Sequence, residues 1–373
     1  MNNVTYKCPR CSGAIIYDGS NKSFICPFCD STFTENEINT YAIKGAIEND
    51  VPETIEDFAY EGYEVNTDVA SVGVNEDQSQ EKREKVNVYS CEHCGAEVVT
   101  TDTTTATTCP YCDNPIIFAS QMVNDQHPDF VIPFKVNKQA TIDALKKFYE
   151  KKFLLPKIFK NENVIKEIKG VYAPYWLYSC EAESIASFDA IKVRKWQDSR
   201  YYYTEDTIYR ADRTGSANFK NIPVDASSKM NDDYMDSLEP YNFEEMVDFN
   251  QAYLSGYLAD RYDVKIEDCY ERINERVDNT LTEYLQRTVV GYNNVRKHDS
   301  QVMMKNGTNK FALLPVWILN TKYKNELYTF VINGQTGKVA GRLPVDKAKR
   351  NSLFLGIVVG IMAIVQPILF LTL

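Results

Sequence analysis

Eight of the ten cysteines fall into four Cys-x-x-Cys pairs, and their spacing sets the first chemical expectation. Cys8 and Cys11 are followed after fourteen residues by Cys26 and Cys29; Cys91 and Cys94 are followed, again after fourteen, by Cys109 and Cys112. A shift of 83 positions superposes all eight, together with Tyr6 on Tyr89, Pro27 on Pro110 and Asp30 on Asp113. The motif is an internal duplication. Two cysteines separated by two residues offer two thiolates to one ion, and a second such knuckle completes a tetrahedral S₄ site of the kind that holds structural zinc. Two Zn²⁺ per chain are expected, and a ribbon this small draws much of its folding energy from the metal, roughly 10–16 kcal/mol.

A lone Cys-x-x-Cys could instead be a redox dithiol. Four pairs coupled two by two at equal spacing argue against that. A catalytic zinc is disfavoured too, because four thiolates leave no open position for water. His93 sits inside a knuckle and could replace a cysteine as ligand, but it reads as a knuckle residue. Cys180 and Cys269 stand outside the pattern. Cys269 lies at helical spacing with Ile266 and Ile273, so both are expected to be buried, inert thiols.

The elements that must position these ligands are hairpins. In the first ribbon Ala14–Tyr17 runs out, Asp18-Gly19-Ser20-Asn21 turns, and Ser23–Ile25 returns; in the second, Ala96–Val99 is the outgoing strand. The ribbons are assigned to 1–35 and 86–120. Between them, 36–85 reads as an acidic linker: residues 30–85 hold 15 acidic and 4 basic side chains, which accounts for the whole formal charge of −11. Nothing at the N-terminus has the pattern of a signal peptide, so the thiols are expected to be reduced.

An α+β domain is expected over 130–345. A helix signal covers Asn137 to about Lys152, with Ile142, Leu145, Phe148 and Phe153 at apolar spacing and Pro156 as its stop. Strands follow to about Val224, and a helical insertion is placed at about 242–290 on the stripe Ile266, Cys269, Ile273, Val277, Leu281, Tyr284 and Leu285. Ala173-Pro174-Tyr175-Trp176 and Leu314-Pro315-Val316-Trp317 echo each other 141 residues apart, suggesting paired strands. Leu327–Ile332 and Lys338–Ala340 read as a hairpin about Asn333-Gly334. The stretch Gly334-Gln335-Thr336-Gly337-Lys338 is not a phosphate loop: its glycines are too close, Val339 follows the lysine and Pro344 blocks a helix. His127 and His298 have no evident catalytic partner. No catalytic residues are assigned, and the chain is expected not to be an enzyme.

Leu353–Leu373 contains no charged residue over 21 positions, enough for one transmembrane helix of roughly 30 Å. Lys347, Lys349 and Arg350 before it place the preceding domains in the cytoplasm by the positive-inside bias. Gly356 and Gly360 form a small-xxx-small pair that could support a homo-oligomer.

The paired knuckles, Ile132-Pro133-Phe134, Gly170–Leu177, Tyr253-Leu254-Ser255-Gly256-Tyr257, Leu314–Trp317 and Asn333–Gly341 together resemble a bacterial family of membrane-bound zinc-ribbon proteins, the YdjG-like proteins. That resemblance implies PspA-type or SPFH-type envelope-stress partners. Members of the family also carry names taken from primosomal helicases and TFIIB-type zinc ribbons. The expectation is therefore a tail-anchored, cytoplasm-facing adaptor that recruits proteins to the cell membrane. The alternative is a nucleic-acid-binding ribbon protein in replication or transcription. Nucleic acid is the weaker expectation: the first ribbon offers only Lys7, Arg10 and Lys22, and there is no Lys or Arg from Val86 to Phe134, whereas phosphate neutralisation supplies most non-specific affinity.

Overall fold

Three segments of alternating β-branched, aromatic and small residues form strands of unusual length: β9 (Lys169–Gln197), β10 (Tyr202–Asp225) and β13 (Asn294–Tyr323). At about 3.3 Å per residue, β9 alone extends over roughly 95 Å of strand. The computed structural model describes residues 6–41, 86–91, 97–110, 114–118, 127–150 and 152–372. The acidic linker expected at 36–85 falls almost wholly outside them.

β9 is the centre of a ten-stranded sheet, with β10 antiparallel on one side and β13 antiparallel on the other. The two Pro-x-Trp segments do lie on paired strands: Pro174 is opposite Leu313 and Pro315 opposite Tyr172. The predicted hairpin is β14 (Glu326–Asn333) with β15 (Val339–Gly341). The Asn333 carboxamide oxygen accepts from the Gln335 and Thr336 amides, and Gly337 takes φ +75° to close the turn.

The base of the sheet is covered on both faces. The helix α1 (Lys138–Glu150) buries Ile142, Leu145 and Tyr149, with Phe159, Phe330 and Ile332 in the same core. Phe153, expected on that stripe, is exposed instead, because α1 has already ended. Beyond the base, β9, β10 and β13 continue as a three-stranded blade. One face of it is built from Ala182, Ser184, Ala186, Phe188 and Ala190, all buried and in strict alternation with exposed or half-buried neighbours. Mostly small side chains there admit a helix at close range. That helix, α2 (Ile266–Arg287), buries Ile273, Val277, Leu281 and Leu285. Gly215 of β10 lies directly beneath Leu285, where a Cβ would come within 2.8 Å of it. Cys269 is buried as expected, and Cys180 likewise; Tyr284 points outward at 69% exposure, one position off the stripe. The rest of the expected helical insertion is irregular: short turns and the strands β11 (Val247–Asp248) and β12 (Leu258–Asp260) occupy 242–260.

The final helix, α3 (Lys347–Thr372), corrects the expectation of a transmembrane helix at 353–373. Among the described residues no helix is long and apolar enough to cross a membrane. Its first turn carries Lys347, Lys349 and Arg350, and Lys349 Nζ donates to the Leu155 carbonyl at 2.7 Å, so the helix starts as part of the domain surface. The expectations that depended on this span fall with it: the tail anchor, the lipid bilayer as partner, the cell-membrane location with cytoplasmic domains, and the membrane-recruiting adaptor. Gly356 and Gly360 have open space around them and show no helix contact.

One buried charge stands out at the base of the blade. Asp225, at the end of β10, is 2% exposed and neither carboxylate oxygen has a hydrogen-bond partner. Burial pushes its carboxyl up to about 7; Asp232 and Asp263 add to the rise, and the nearby Ser227 amide and Arg272 oppose it. Between about pH 4 and pH 7 the unfolded chain releases this proton while the folded chain keeps it, so folding stability drops as pH rises through that window. Asp225→Asn should therefore be more stable than the parent at pH 8, by roughly 1–4 kcal/mol, and nearly unchanged at pH 4. Urea denaturation at the two pH values measures this; equal stability at pH 8 would refute it.

Candidate metal centre

The first ribbon folds as predicted into a hairpin, β1 (Ile16–Asp18) and β2 (Ser23–Ile25), extended by β3 (Thr32–Phe33). Its knuckles close through local amide bonds: Cys8 N to the Gly13 carbonyl at 2.7 Å and Cys26 N to the Ser31 carbonyl at 2.9 Å. Ser12 and Asp30 take φ of 60° and 55°, the left-handed conformations that turn each knuckle back on itself. These turns bring Cys8, Cys11, Cys26 and Cys29 together, with all four sulfurs within 4.8 Å of one another.

Cys8 Sγ lies 3.7 Å from Cys29 Sγ, and Cys11 Sγ 3.4 Å from Cys26 Sγ. A tetrahedron of sulfurs about 2.3 Å from a central zinc has edges of about 3.8 Å. The donor set and the spacing fit the ion. Ser31, through its hydroxyl and its amide, holds the Cys29 thiol down to about 6. The Gly13 amide acts on Cys11 in the same sense, but hydrogen bonds with Cys26, Cys29 and Cys8 outweigh it and leave Cys11 raised to about 12. A divalent ion bound by the four sulfurs would displace the thiol protons.

This ribbon is not a separate bead. Tyr17 N donates to the Ser255 carbonyl at 3.1 Å, Ser255 Oγ to the Ile15 carbonyl at 2.7 Å, and Tyr257 Oη to the Tyr17 carbonyl at 3.2 Å. Asn250 and Tyr253 reach Glu35 from the same side. Gly256 takes φ +88°, and a Cβ there would meet Ile16 at 2.9 Å. From this clamp an aromatic chain runs inward: Tyr17 against Tyr253 at 5.0 Å, and Tyr257 stacked on Phe134 at 4.1 Å with an interplanar angle of 4°. Phe134 also meets Tyr172 and Trp317. Sequence reading did not assign the Tyr253–Tyr257 segment to the ribbon. Its Ser-Gly between tyrosines was the available signal: a backbone-bonding hydroxyl beside a residue that permits close approach.

The second ribbon is described in part. β4 (Val86–Ser90) pairs with β5 (Glu97–Thr101), and Cys91 and Cys109 are buried in one small cluster with Tyr89, Val98, Ile116 and Phe118. Tyr89 stacks on Phe118 at 4.1 Å. Cys94, Cys112 and His93 lie outside the described residues. β6 (Thr104–Thr108) leaves this ribbon to pair with β12 and joins the main sheet, followed by β7 (Pro115–Ile117). His127 packs edge-on against Phe249, and His298 Nδ1 lies 3.4 Å from Asp189 on the open face of the blade.

Gly256→Ala should destabilise the fold by roughly 1–3 kcal/mol, through strain and the Ile16 contact. Because the clamp holds the zinc hairpin, the variant should also surrender zinc to a chromogenic chelator faster than the parent. Unchanged melting and unchanged zinc release would show that the clamp does not restrain the ribbon.

No protein-family model matches the chain, and no solved structure matches it. The uncharacterized protein YdjG of Bacillus subtilis (strain 168) is 36% identical over 244 residues, which is 65% of this chain and 72% of that protein. With a Cys₄ cluster able to hold a metal set in an α+β fold, and with identity of that extent, the chain belongs to the family of YdjG-like bacterial proteins.

Proposed function

We propose that this chain is a non-catalytic binding protein whose zinc ions are structural and whose contact surface is the tip of the β9–β10 hairpin. The observation that carries the first half is the closed Cys₄ set: four sulfurs within 4.8 Å of one another fill the coordination of zinc and leave no position for a substrate or water. The duplicated spacing assigns a second, equivalent ion to Cys91, Cys94, Cys109 and Cys112. The groove of about 920 Å³ beside the first ribbon supports the same reading. Its one carboxylate, Asp18, is already engaged by the Ser20 amide and the Asn21 side chain.

The tip supplies the contact surface. Trp196 stacks on Tyr203 at 5.3 Å with an interplanar angle of 10°, and Arg194 lies 5.3 Å from the Trp196 ring. Tyr201 and Tyr202 are 63% and 84% exposed. Lys192, Arg194, Lys195 and Arg200 against Asp198, Glu205 and Asp206 leave the paired segment 192–207 at +1 on a chain of −11, with the cations nearest the tip. Exposed aromatics with arginine are the residues that dominate protein interfaces, and the charge favours an acidic protein surface. A stacked aromatic pair among cations also favours a second reading, single-stranded nucleic acid.

Elemental analysis should give close to two zinc per chain, falling to one in Cys26→Ser and in Cys109→Ser; one zinc in the parent would remove the second site. A photo-cross-linker at Tyr201 should capture a protein in cells, and Trp196→Ala should abolish the adduct. Capture of nucleic acid alone, with affinity that falls steeply with salt, would transfer the function to the second reading.

A further inference from the structure

Among the described strands β10 pairs only with β9, so its outer edge carries a row of free backbone donors and acceptors. Proteins usually blunt such an edge with proline, a bulge, or charge of one sign. Here Tyr202–Arg210 is exposed on both faces, Pro223 comes only near the end, and the bulge lies at Phe219–Ile222. The charges are of mixed sign and ordered: Glu205, Asp206, Arg210, Asp212, Arg213.

We propose that two copies of this chain associate edge to edge through β10, antiparallel, about a two-fold axis at Ile208. A continuous antiparallel sheet with a two-fold axis normal to it keeps side chains of one parity on one face, so the axis must pass through a residue. With the axis at Ile208, Asp206 faces the partner's Arg210 and Arg210 faces the partner's Asp206. Tyr203 meets the partner's Arg213, Thr204 the partner's Asp212, and no like charges are opposed anywhere over 202–214. Ile208, 65% exposed, meets its own copy, and Ile191 stands opposite Ile208 within each chain, so four isoleucines gather at the axis.

Neighbouring registers are poorer. An axis at Tyr209 opposes Asp206 to Asp212, and an axis at Thr207 leaves Arg210 against threonine. An axis at Ala211 pairs Arg210 with Asp212, but Asp212 already accepts from Ser187 Oγ at 2.6 Å and Arg213 is bonded to Thr288 at 3.2 Å. Asp206 has no ion-pair partner among the described residues, and Arg210 is only 3.6 Å from Asp189. The Ile208 register gives Asp206 an ion pair that its own chain does not supply, with Arg210 shared between Asp189 and the partner's Asp206. Tyr202 and Tyr203 belong to both surfaces, whereas Trp196, Arg200 and Tyr201 lie outside the register, so sedimentation and cross-linking at Tyr201 test the two readings separately.

The test is sedimentation of the full chain. The parent should show a concentration-dependent dimer. Asp206→Arg and Arg210→Asp should each weaken it at least about tenfold by opposing like charges twice. A one-to-one mixture of the two variants should restore it, since every opposed pair is again of unlike sign. Arg210→Asp also sets two carboxylates near each other within its own chain, but the mixture carries that same defect, so recovery isolates the contact between chains. Ile208→Cys supplies a second readout: mild oxidation should link two copies at residue 208, and Thr204→Cys should not link. A parent that stays monomeric, variants that dimerise as the parent does, a mixture that fails to recover, or cross-linking through Ala211→Cys instead of Ile208→Cys would each overturn the proposal.

Discussion

The contact on which the rest depends is the three-bond clamp between the first zinc hairpin and Ser255–Tyr257. A hairpin of 3-residue strands cannot bury enough apolar surface to fold alone. Metal can fix its knuckles but not its orientation. The clamp supplies orientation: Ile15 and Tyr17 carbonyls accept, the Tyr17 amide donates, and Gly256 lets the two backbones approach. Cys8, Cys26, Ile15 and Phe24 then belong to the same buried cluster as Phe134, Tyr172 and Trp317. The Cys₄ cluster and the α+β core thus share one buried cluster, so strain in one is felt by the other.

The blade is governed by a different constraint. Its strands extend far beyond the base, where only one face finds a cover. Alanine and serine on alternate positions of β9 make room for α2, and Arg272 and Arg276 fasten that helix from the side. Arg272 lies 2.9 Å from Asp232, and Arg276 makes paired 2.7 Å bonds to both Glu239 carboxylate oxygens. Past α2 both faces and the outer edge are open. Such strand is held by its ladder alone, which leaves its aromatic and charged side chains free for contacts with other molecules.

Charge distribution separates the parts in the same way. The acidic excess resides in residues 30–85, and the remainder carries 37 charges of each sign. Within that neutral remainder the hairpin tip gathers cations and the β10 edge carries charges of mixed sign. Net charge therefore says little about partners of this protein; the local order of charge along exposed strand says more.

Local chemistry was legible from the residues. The knuckle spacing, the turns between hairpin strands, the Asn-Gly hairpin at Asn333 and the stripe of α2 all follow from interactions within a few residues of chain, and those interactions form wherever the segment finds itself. The membrane reading failed on the same local footing: an uncharged terminus was read as a span, whereas no helix among the described residues is long and apolar enough to cross a membrane, and the last one starts at a basic turn fastened to Leu155. The docking of the first ribbon was not legible, because its hydrogen bonds join residues 240 positions apart and carry no periodicity. Nor was the length of the blade, since alternation marks a strand but not its partner. Residue type and spacing determined the metal ligands and the strand periodicity; only the tertiary structure decided which backbone carbonyls met Ser255 and Tyr257, and which strand edge was left bare.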